Sequence, residues 1–460
     1  MKRTLANFAA CCGGELRGTD RDFAQVLIDS RRVGAGDIFC ALPGAHTDGH
    51  EFIAQAAAAG AAAALVSRAL PVTTSALLPQ IVVADVAAAL TQAARAWRGE
   101  FRGPVIGVAG SNGKTTTKEM LAAILGQRGA CLATLGNLNN QLGVPLTLLR
   151  LTAQHQSAVI EMGANRAGEV AELAIIAAPG ISLITNAGAE HLEGFGSLEG
   201  VARAEGEMVA ALKPEGVAII NEDDPYAPLW RGMTRARVVG FGLSVHAEVH
   251  ATDLELKTDE RGFVTRFTLR YATGSVPIEL ALAGRHNVYN ALAAAAAAVA
   301  AGATLAQVAA GLAAMRAVPG RLQFRSTRHG AWLIDDSYNA NPSSVNAALQ
   351  VLAELPGRRW LVLGDMAELG EHAPDSHREM GTLARAAGIE RLYTFGADAA
   401  LAADTFGAGA ERFTDMAQLA VAVDTALQAD VRLLIKGSRV NRLERLVAKL
   451  TDAAPARRVG

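Results

Sequence analysis

Two hydrophobic rhythms alternate along the chain and predict its elements. Between residues 100 and 316, short apolar runs are separated by longer amphipathic stretches, which is the strand–helix alternation of a parallel sheet. We predict strands that end at Met162, Asn186 and Asn221, each followed by a loop and a helix. From Ala247 to Leu282, polar and apolar residues alternate one by one, and this predicts antiparallel strands added to one edge.

Both flanking segments also alternate strands and helices. Residues 1–99 predict a small α/β domain that ends in a helix through Trp97. Pro319-Gly320 marks the next boundary, after which five strand–helix units predict a Rossmann-like sheet. This last segment lacks the Gly-x-Gly-x-x-Gly fingerprint, so we do not expect it to bind a dinucleotide. The predicted fold is α/β in three domains, 1–99, 100–317 and 318–460.

The composition excludes several classes of protein. The chain has 460 residues, of which 50% are hydrophobic and 19% are charged, with a formal net charge of -2. This balance gives no basic patch for nucleic acid or an acidic membrane, so we expect small-molecule partners. Four irregularly spaced cysteines fit neither a disulfide framework nor a zinc site, and they favour the reduced cytoplasm. The longest apolar run, Ala291 to Ala301, is about half of a membrane span, so we predict no membrane insertion.

The stretch PVIGVAGSNGKTTTKE, residues 104 to 119, predicts a phosphate-binding loop. A buried strand leads into a small-residue loop and then into a helical pattern from Thr116. Glycines let backbone N–H groups turn toward an anion, the helix N-terminus adds positive potential, and Lys114 supplies a full charge. Val108 stands where the strict Walker pattern has a glycine, so the loop has the shorter G-x-x-G-K-T form. We predict that ATP binds to Gly110, Ser111, Asn112, Gly113, Lys114, Thr115 and Thr116.

Polar motifs follow the ends of other predicted strands, where open α/β sheets present their ligands. They are GNLNNQLGVP (136–145), IEMGANRAGE (160–169), TNAGAEHLEGFGS (185–197), GRHNVYN (284–290), DDSYNANP (335–342), GDMAELGEH (364–372) and KGSR (436–439). Together with the phosphate loop, these motifs resemble those of the Mur ligases of peptidoglycan synthesis. The resemblance covers nearly the whole chain and is weakest over residues 1–25 and 396–430.

The resemblance implies three domains with separate tasks: one binds the UDP end of the substrate, a central domain binds ATP, and a C-terminal domain brings a dipeptide. The implied substrates are UDP-N-acetylmuramoyl-tripeptide and D-alanyl-D-alanine. The terminal carboxylate of the tripeptide would attack the γ-phosphate, and the dipeptide amine would displace the resulting acyl phosphate. Because a carboxylate has no good leaving group, phosphorylation activates it, and two reacting anions need concentrated positive charge. We expect a monomer.

The resemblance also implies a magnesium-dependent catalytic group. Lys114 would neutralise the phosphates, and Thr115 with Glu161 would hold the first Mg²⁺ through hard oxygen ligands. His191 resembles the family's ligand for a second metal. Many Mur ligases complete this second site with a carbamylated lysine where this chain has Glu205, and we hypothesise that the glutamate replaces the carbamate without modification. The alternatives are a solvated histidine, a salt-bridged Glu161 and a solvated helix charge at Glu205.

The same resemblance assigns the residues around the nucleotide. Asn287 and Asn290 would lie on the adenine side with His286 nearby, Asp336 would accept from the ribose hydroxyls, and Arg321 would reach the γ-phosphate. As alternatives, Asn290 is a helix cap and Arg321 belongs to a solvated linker.

Two further groups are assigned to the substrates. The predicted contacts of the muramoyl substrate are Ser30, Arg31, Asn137 and Asn139, and those near the dipeptide are Asn339, Asn341 and Lys436. Helix capping by Asn341 ahead of Pro342, or hydrogen bonding at the sheet edge, explains the second group equally well.

Three other functions remain open on the sequence. A related amide ligase, such as another Mur ligase or a folylpolyglutamate synthetase, would share the phosphate loop, but GNLNN and DDSYNANP argue against it. A nucleotide-binding protein without catalysis would tolerate damage to Lys114, Thr115, Glu161 or His191, and all four are present. A dehydrogenase is disfavoured because the dinucleotide fingerprint is missing.

Overall fold

The computed structural model describes residues 2–44, 47–70, 78–259, 262–272 and 274–451, and these form three α/β domains, each around its own sheet. The predicted fold class is confirmed. Within the described residues, no helix has the length and apolar character needed to cross a membrane.

The N-terminal domain contains five strands in the order β1-β5-β4-β3-β2, parallel except for β1 against β5. The strands are β1 Glu15–Arg17, β2 Val26–Leu27, β3 Ile38–Cys40, β4 Ala63–Val66 and β5 Gln80–Val82, and the helices are α1 Leu5–Cys12, α2 Ile53–Ala58 and α3 Val86–Glu100. Helix α3 joins this domain to the next one, because fully buried Trp97 donates from its indole nitrogen to the carbonyl oxygen of Leu151 at 3.0 Å.

The central domain contains nine strands in the order β14-β13-β12-β11-β10-β9-β6-β8-β7. The strands are β6 Val105–Ala109, β7 Cys131–Ala133, β8 Ser157–Glu161, β9 Ile181–Ile184, β10 Val217–Asn221, β11 Arg237–Gly242, β12 Val249–Asp259, β13 Gly262–Tyr271 and β14 Gly274–Leu280. The helices are α4 Lys114–Gly126, α5 Gly143–Leu148, α6 Glu169–Ala177, α7 Leu192–Phe195, α8 Leu198–Ala210, α9 Ala227–Gly232, α10 Arg285–Ala300 and α11 Leu305–Ala314.

This strand order places the phosphate loop at a topological switch point. Strand β6 lies between β8 and β9, so the chain leaves it in opposite directions and a crevice opens at its carboxyl end. The alternating stretch forms β12, β13 and β14, which pair antiparallel, as predicted. The alanine-rich helix α10 is buried from Ala291 to Ala298 and packs on the opposite side of the loop helix α4 from solvent.

The C-terminal domain contains six strands in the order β15-β16-β20-β17-β18-β19. The strands are β15 Gln323–Ser326, β16 Trp332–Asp336, β17 Arg358–Gly364, β18 Arg391–Phe395, β19 Ala410–Phe413 and β20 Val431–Lys436. The helices are α12 Pro342–Ala353, α13 Ala373–Ala386, α14 Ala400–Phe406, α15 Met416–Ala426 and α16 Glu444–Leu450. Sequence analysis missed the two edge strands, β15, which pairs antiparallel, and β19, because neither is continuously apolar.

Candidate active site

One cavity of about 720 Å³ lies where the loops of the central domain face the C-terminal domain. It collects the carboxyl ends of β6, β8, β9, β16 and β20, as open α/β sheets do. The predicted site residues that line it are Ser111, Asn112, Gly113, Lys114, Thr115, Thr116, Asn137, Asn139, Glu161, His191, His286, Asn287, Asn290, Arg321, Asp336, Asn339, Asn341 and Lys436. Gly110 and Glu205 lie directly behind the phosphate loop.

The phosphate loop depends on glycine at both ends. Gly110 has φ +117° and Gly113 has φ +84°, and a Cβ on Gly113 would lie 2.3 Å from Oδ1 of Asn290. These positions therefore require glycine for conformation and for space. The loop helix begins at Lys114, two residues earlier than the predicted start, so the lysine stands at the positive end of the helix.

The ammonium group of Lys114 is held inside the loop. Its Nζ donates to the carbonyl oxygens of Gly110 at 2.5 Å and Ser111 at 3.0 Å, and it forms an ion pair with Oε1 of Glu190 at 3.1 Å. Burial lowers the pKa of Lys114, but the carboxylates of Glu190, Glu205 and Glu161 outweigh burial and raise it overall. The lysine is therefore charged and surrounded by acidic groups.

Glu205 supports the loop from below. Its Oε2 accepts a hydrogen bond of 2.6 Å from the backbone N–H of Gly110, and burial raises its pKa to about 7. The predicted solvated helix charge is therefore wrong, since Glu205 is only 3% exposed. Burial also raises the pKa of Glu190, although Lys114 opposes that rise.

Thr115 and Glu161 meet in a geometry that suits a hard cation. The hydroxyl of Thr115 donates to Oε1 of Glu161 at 3.2 Å, and Nδ2 of Asn139 donates to the same oxygen at 2.9 Å. The other oxygen, Oε2, is buried without a hydrogen-bond partner, and the nearest charge is Nζ of Lys118 at 4.0 Å. A buried carboxylate oxygen that lacks a partner is costly, and Mg²⁺ favours such a ligand. The residues present therefore fit one Mg²⁺.

A second metal site is not assembled in this arrangement. Nδ1 of His191 forms a 2.6 Å ion pair with Oε2 of Glu368 from the C-terminal domain, while Glu205 is bound to the loop backbone. Across the described residues, no three His, Cys, Asp or Glu side chains are grouped so that they could hold a metal. His191 and Glu368 both have positive φ, 48° and 65°, and such strained conformations are common in functional sites.

The residues on the adenine side form a connected polar chain. Asn287 donates to the carbonyl oxygen of Ala283 at 2.7 Å, Asn290 donates to Oδ1 of Asn287 at 3.0 Å, and Thr117 donates to Oδ1 of Asn290 at 3.2 Å. Asn290 lies inside α10, so its interpretation as a cap is wrong. Burial lowers the pKa of His286 to about 4, so this histidine is neutral at pH 7.

The carboxylate of Asp336 is already occupied. Its Oδ2 accepts from Nζ of Lys436 at 2.6 Å, and its Oδ1 accepts from the backbone N–H of Leu322 at 3.1 Å. Lys436 also donates to the carbonyl oxygen of Asn339 at 2.9 Å. These contacts tie three sequence segments of the C-terminal domain together beneath the cavity.

Arg321 already reaches the phosphate end. Its Nη2 donates to Oγ1 of Thr115 at 3.0 Å, and its guanidinium carbon lies 4.4 Å from the ring centroid of Tyr338. The interpretation of Arg321 as a solvated linker residue is wrong, because the side chain bridges two domains.

Asn341 has two roles at once. Its Oδ1 accepts from the backbone N–H of Ser344 at 2.8 Å and caps α12, while its Nδ2 donates to Oδ1 of Asn112 at 2.9 Å. Asn112 in turn donates to Oγ of Ser343 at 2.9 Å. The start of α12 is thereby attached to the phosphate loop.

Two predicted substrate contacts lie outside the cavity. Ser30 donates to Oε1 of Gln55 at 3.2 Å, and exposed Arg31 forms an ion pair with Asp29 at 2.8 Å. The structure does not bring them to the phosphate loop, although both lie on the surface of the N-terminal domain.

Sequence analysis missed several residues of the cavity. Asn186 accepts from the N–H of Asn112 at 3.0 Å, and Glu190 pairs with Lys114, yet only their placement after a strand and beside His191 could have indicated them. The other missed contacts are Tyr338, Ser343 and Glu368.

Comparisons with known proteins agree with the motifs. Three family models match consecutive segments: Mur ligase family, catalytic domain at 22–98; Mur ligase middle domain at 108–298; and Mur ligase, glutamate ligase domain at 320–439. The chain is 43% identical over 451 residues to the UDP-N-acetylmuramoyl-tripeptide–D-alanyl-D-alanine ligase of Escherichia coli, a match that covers 98% of each chain.

Solved structures give the same result. MurF from Acinetobacter baumannii superimposes with a TM-score of 0.89 at 34% identity, covering 98% of this chain and 99% of that one. MurF ligase from Thermotoga maritima, crystallised in complex with ADP, superimposes with a TM-score of 0.80 at 28% identity over 93% and 96% of the two chains.

Proposed function

Because this chain belongs to the Mur ligase family, we propose that it ligates D-alanyl-D-alanine to UDP-N-acetylmuramoyl-tripeptide and converts ATP to ADP and phosphate. The observation that carries the proposal is the full-length similarity to a ligase of this specificity, together with one cavity that contains both the phosphate loop and the C-terminal motifs. The product is a precursor of peptidoglycan.

The first step activates the tripeptide. An oxygen of its terminal carboxylate attacks the γ-phosphorus of ATP, the bond from that phosphorus to the β–γ bridging oxygen breaks, and ADP leaves. Lys114 and the N–H groups of the loop stabilise the added negative charge, since they are already fixed before the reaction. Phosphate oxygens would then replace the carbonyl oxygens that the ammonium group now contacts.

The second step forms the amide. The free amine of the dipeptide attacks the carbonyl carbon of the acyl phosphate, the bond from carbon to the phosphate oxygen breaks, and the amine loses a proton. The released phosphate therefore carries one oxygen that came from the tripeptide carboxylate. Asn339, Asn341 and Lys436 lie on the side of the cavity that the C-terminal domain supplies, and we assign them to the acceptor.

Thr115 and Glu161 would hold Mg²⁺. The bound ion would supply positive charge to the phosphate oxygens during transfer. Asn139 holds Oε1 of Glu161 in place, so the partnerless Oε2 stays directed at the site. His191 and Glu205 as ligands of a second metal stay predictions, and no step here depends on them.

The nucleotide and the UDP end would extend away from the phosphate loop. We assign the adenine to the wall formed by His286, Asn287 and Asn290, and neutral His286 is suited to packing against a base. The occupied carboxylate of Asp336 would have to share its acceptor oxygens with a ribose. We assign Ser30 and Arg31 to the UDP end, which is long enough to extend beyond the cavity.

Phosphate release tests the proposal. The purified chain is given Mg²⁺ and ATP with UDP-muramoyl-tripeptide, and D-alanyl-D-alanine is compared with single amino acids and with no acceptor. We expect release that requires both the tripeptide and the dipeptide. Release with another acceptor would keep the ligase and overturn its substrate, and no release in any combination would favour a nucleotide-binding protein.

A further inference from the structure

The charged residues on the C-terminal side of the cavity are mostly committed to partners. Lys436 pairs with Asp336 at 2.6 Å, Glu368 pairs with His191 at 2.6 Å, and Arg321 donates to Thr115 at 3.0 Å. Each of these contacts holds either the domain or its connection to the phosphate loop. None leaves a cation ready to receive a carboxylate.

Arg439 differs from them. Its guanidinium group lines the same cavity, its side chain is 64% exposed, and its ion-pair contact is a long one, 3.4 Å to Oε1 of Glu444. An exposed ion pair of this kind contributes little energy, so a ligand can displace it at small cost.

The backbone beneath Arg439 is fixed although its side chain is exposed. The preceding residue, Ser438, is buried; its hydroxyl accepts from the N–H of Ala367 at 2.7 Å, and its own N–H donates to the carbonyl oxygen of Asp365 at 2.9 Å. A Cβ on Gly437 would lie 2.7 Å from Leu443, so this approach is close as well. The guanidinium therefore starts from a defined point at the cavity rim.

Tyr338 connects Arg439 to the phosphate end. The guanidinium carbons of Arg321 and Arg439 lie 4.4 and 5.9 Å from the centroid of its ring. Arg321 contacts Thr115 beside the metal position, so Arg439 lies one ring farther toward solvent. An extended dipeptide spans about 7 Å, which is the scale of this separation.

We propose that Arg439 binds the carboxylate of the incoming dipeptide and so selects an acceptor of two residues. This inference rests on the proposed function. Guanidinium binds carboxylate in a bidentate manner, and the dipeptide amine would then face the phosphate end, where the acyl phosphate forms. A single amino acid held at Arg439 would place its amine short of that point.

The competing carboxylates belong to the tripeptide substrate. They enter from the side of Asn137 and Asn139, whose loop lies against Glu161 in the central domain. Arg439 lies on the opposite, C-terminal side, in the same loop as Lys436. The position of the cation therefore favours the acceptor.

A paired deletion of charge tests the inference. Wild type and Arg439→Met are compared on D-alanyl-D-alanine and on its C-terminal amide, and kcat/KM is measured for each. We expect wild type to lose about 10- to 100-fold on the amide, the usual value of a charge-assisted hydrogen bond. The variant should show that loss on the free acid and no further loss on the amide.

Two controls separate charge from structure. Arg439→Lys should recover part of the loss, and Arg445→Met, an exposed arginine of α16 outside the cavity, should behave as wild type. Calorimetric titration with the dipeptide in the presence of ADP should show the same pattern without turnover.

The outcomes are distinct. If Arg439→Met loses as much on the amide as wild type does, or if KM rises for the UDP substrate instead of the dipeptide, Arg439 does not bind the acceptor carboxylate. Failure of wild type to use D-alanyl-D-alanine at all would overturn the proposed function, and this inference with it.

Discussion

The two ends of the cavity hold their charges in opposite ways. At the phosphate end, the side chains of Lys114, Glu190 and Glu161 are 16%, 9% and 2% exposed, and their contacts lie within the central domain. On the C-terminal side, Glu368 and Arg439 are 58% and 64% exposed. Buried charges keep their strength and geometry, whereas exposed ones are screened and exchange partners easily.

This difference suits the two steps of the proposed reaction. Transfer of a phosphoryl group needs charge that is fixed in advance, because reorganisation during the reaction would cost energy. An acceptor has to enter and a product has to leave, and both are easier where partners are held weakly. Four substitutions test this division, beginning with the largest expected effect.

Lys114→Met should lower kcat by about a thousandfold, because the main fixed cation at the transferring phosphate is lost. Phosphate release with all substrates measures the effect, and a retained cooperative unfolding transition shows that the chain still folds. Lys213→Met, which removes an exposed lysine, is the matched control. A loss below tenfold would mean that the buried lysine is not the principal electrostatic contributor.

Glu161→Gln should raise the Mg²⁺ concentration for half-maximal activity by at least about 10- to 100-fold, since removal of an outer-shell partner alone costs that much. The substitution keeps an oxygen that accepts from Asn139 and removes the charge from the site. Glu119→Gln changes a partly exposed carboxylate on the same loop helix and should leave the Mg²⁺ dependence unchanged. An unchanged dependence in Glu161→Gln would exclude this residue as a ligand.

Glu205→Gln tests the cost of the buried carboxylate through pH. The folded pKa, about 7, lies above the ordinary 4.5, so the folded chain holds a proton that the unfolded chain releases. This favourable contribution is complete below about pH 4.5 and is lost as pH rises through 7. The shift corresponds to roughly 3 kcal/mol.

Denaturant unfolding at pH 5 and pH 8 measures this effect. Glutamine still accepts from Gly110 and carries no charge, so the stability of the variant relative to wild type should rise by up to roughly 3 kcal/mol between the two pH values. Glu199→Gln, an exposed carboxylate on the same helix, should run parallel to wild type. Parallel curves for Glu205→Gln would contradict the assigned burial cost.

Glu368→Gln should have the smallest effect, a loss in kcat of at most about fivefold, because exposed ion pairs contribute 0.2–1 kcal/mol. It removes the interdomain pair with His191, and Glu371→Gln in the same loop is the control. A loss close to that of Lys114→Met would show that the C-terminal side is as preorganised as the phosphate end, and the comparison would fail.

Local patterns predicted the phosphate end well. Gly110, Gly113 and Lys114 are adjacent in sequence, and their conformations follow from glycine and from the start of a helix, so the loop could be derived without knowing its surroundings. The fold class and the antiparallel addition followed equally from periodicity.

Contacts between distant residues could not be derived in this way. Asp336 was predicted to receive a ribose because it ends a strand, but β16 and β20 are neighbours in the sheet and their register places it beside Lys436. Strand order is not contained in the local pattern. Arg321 with Thr115 and Glu190 with Lys114 are further pairs that only the packed domains bring together.

The most direct test of the central claim follows one oxygen atom. UDP-muramoyl-tripeptide is labelled with ¹⁸O in its terminal carboxylate, and the phosphate released during ligation is analysed by mass spectrometry. Activation at the phosphate end predicts that each phosphate carries one oxygen from that carboxylate. Phosphate without the label would show that the carboxylate is never phosphorylated and would contradict the account.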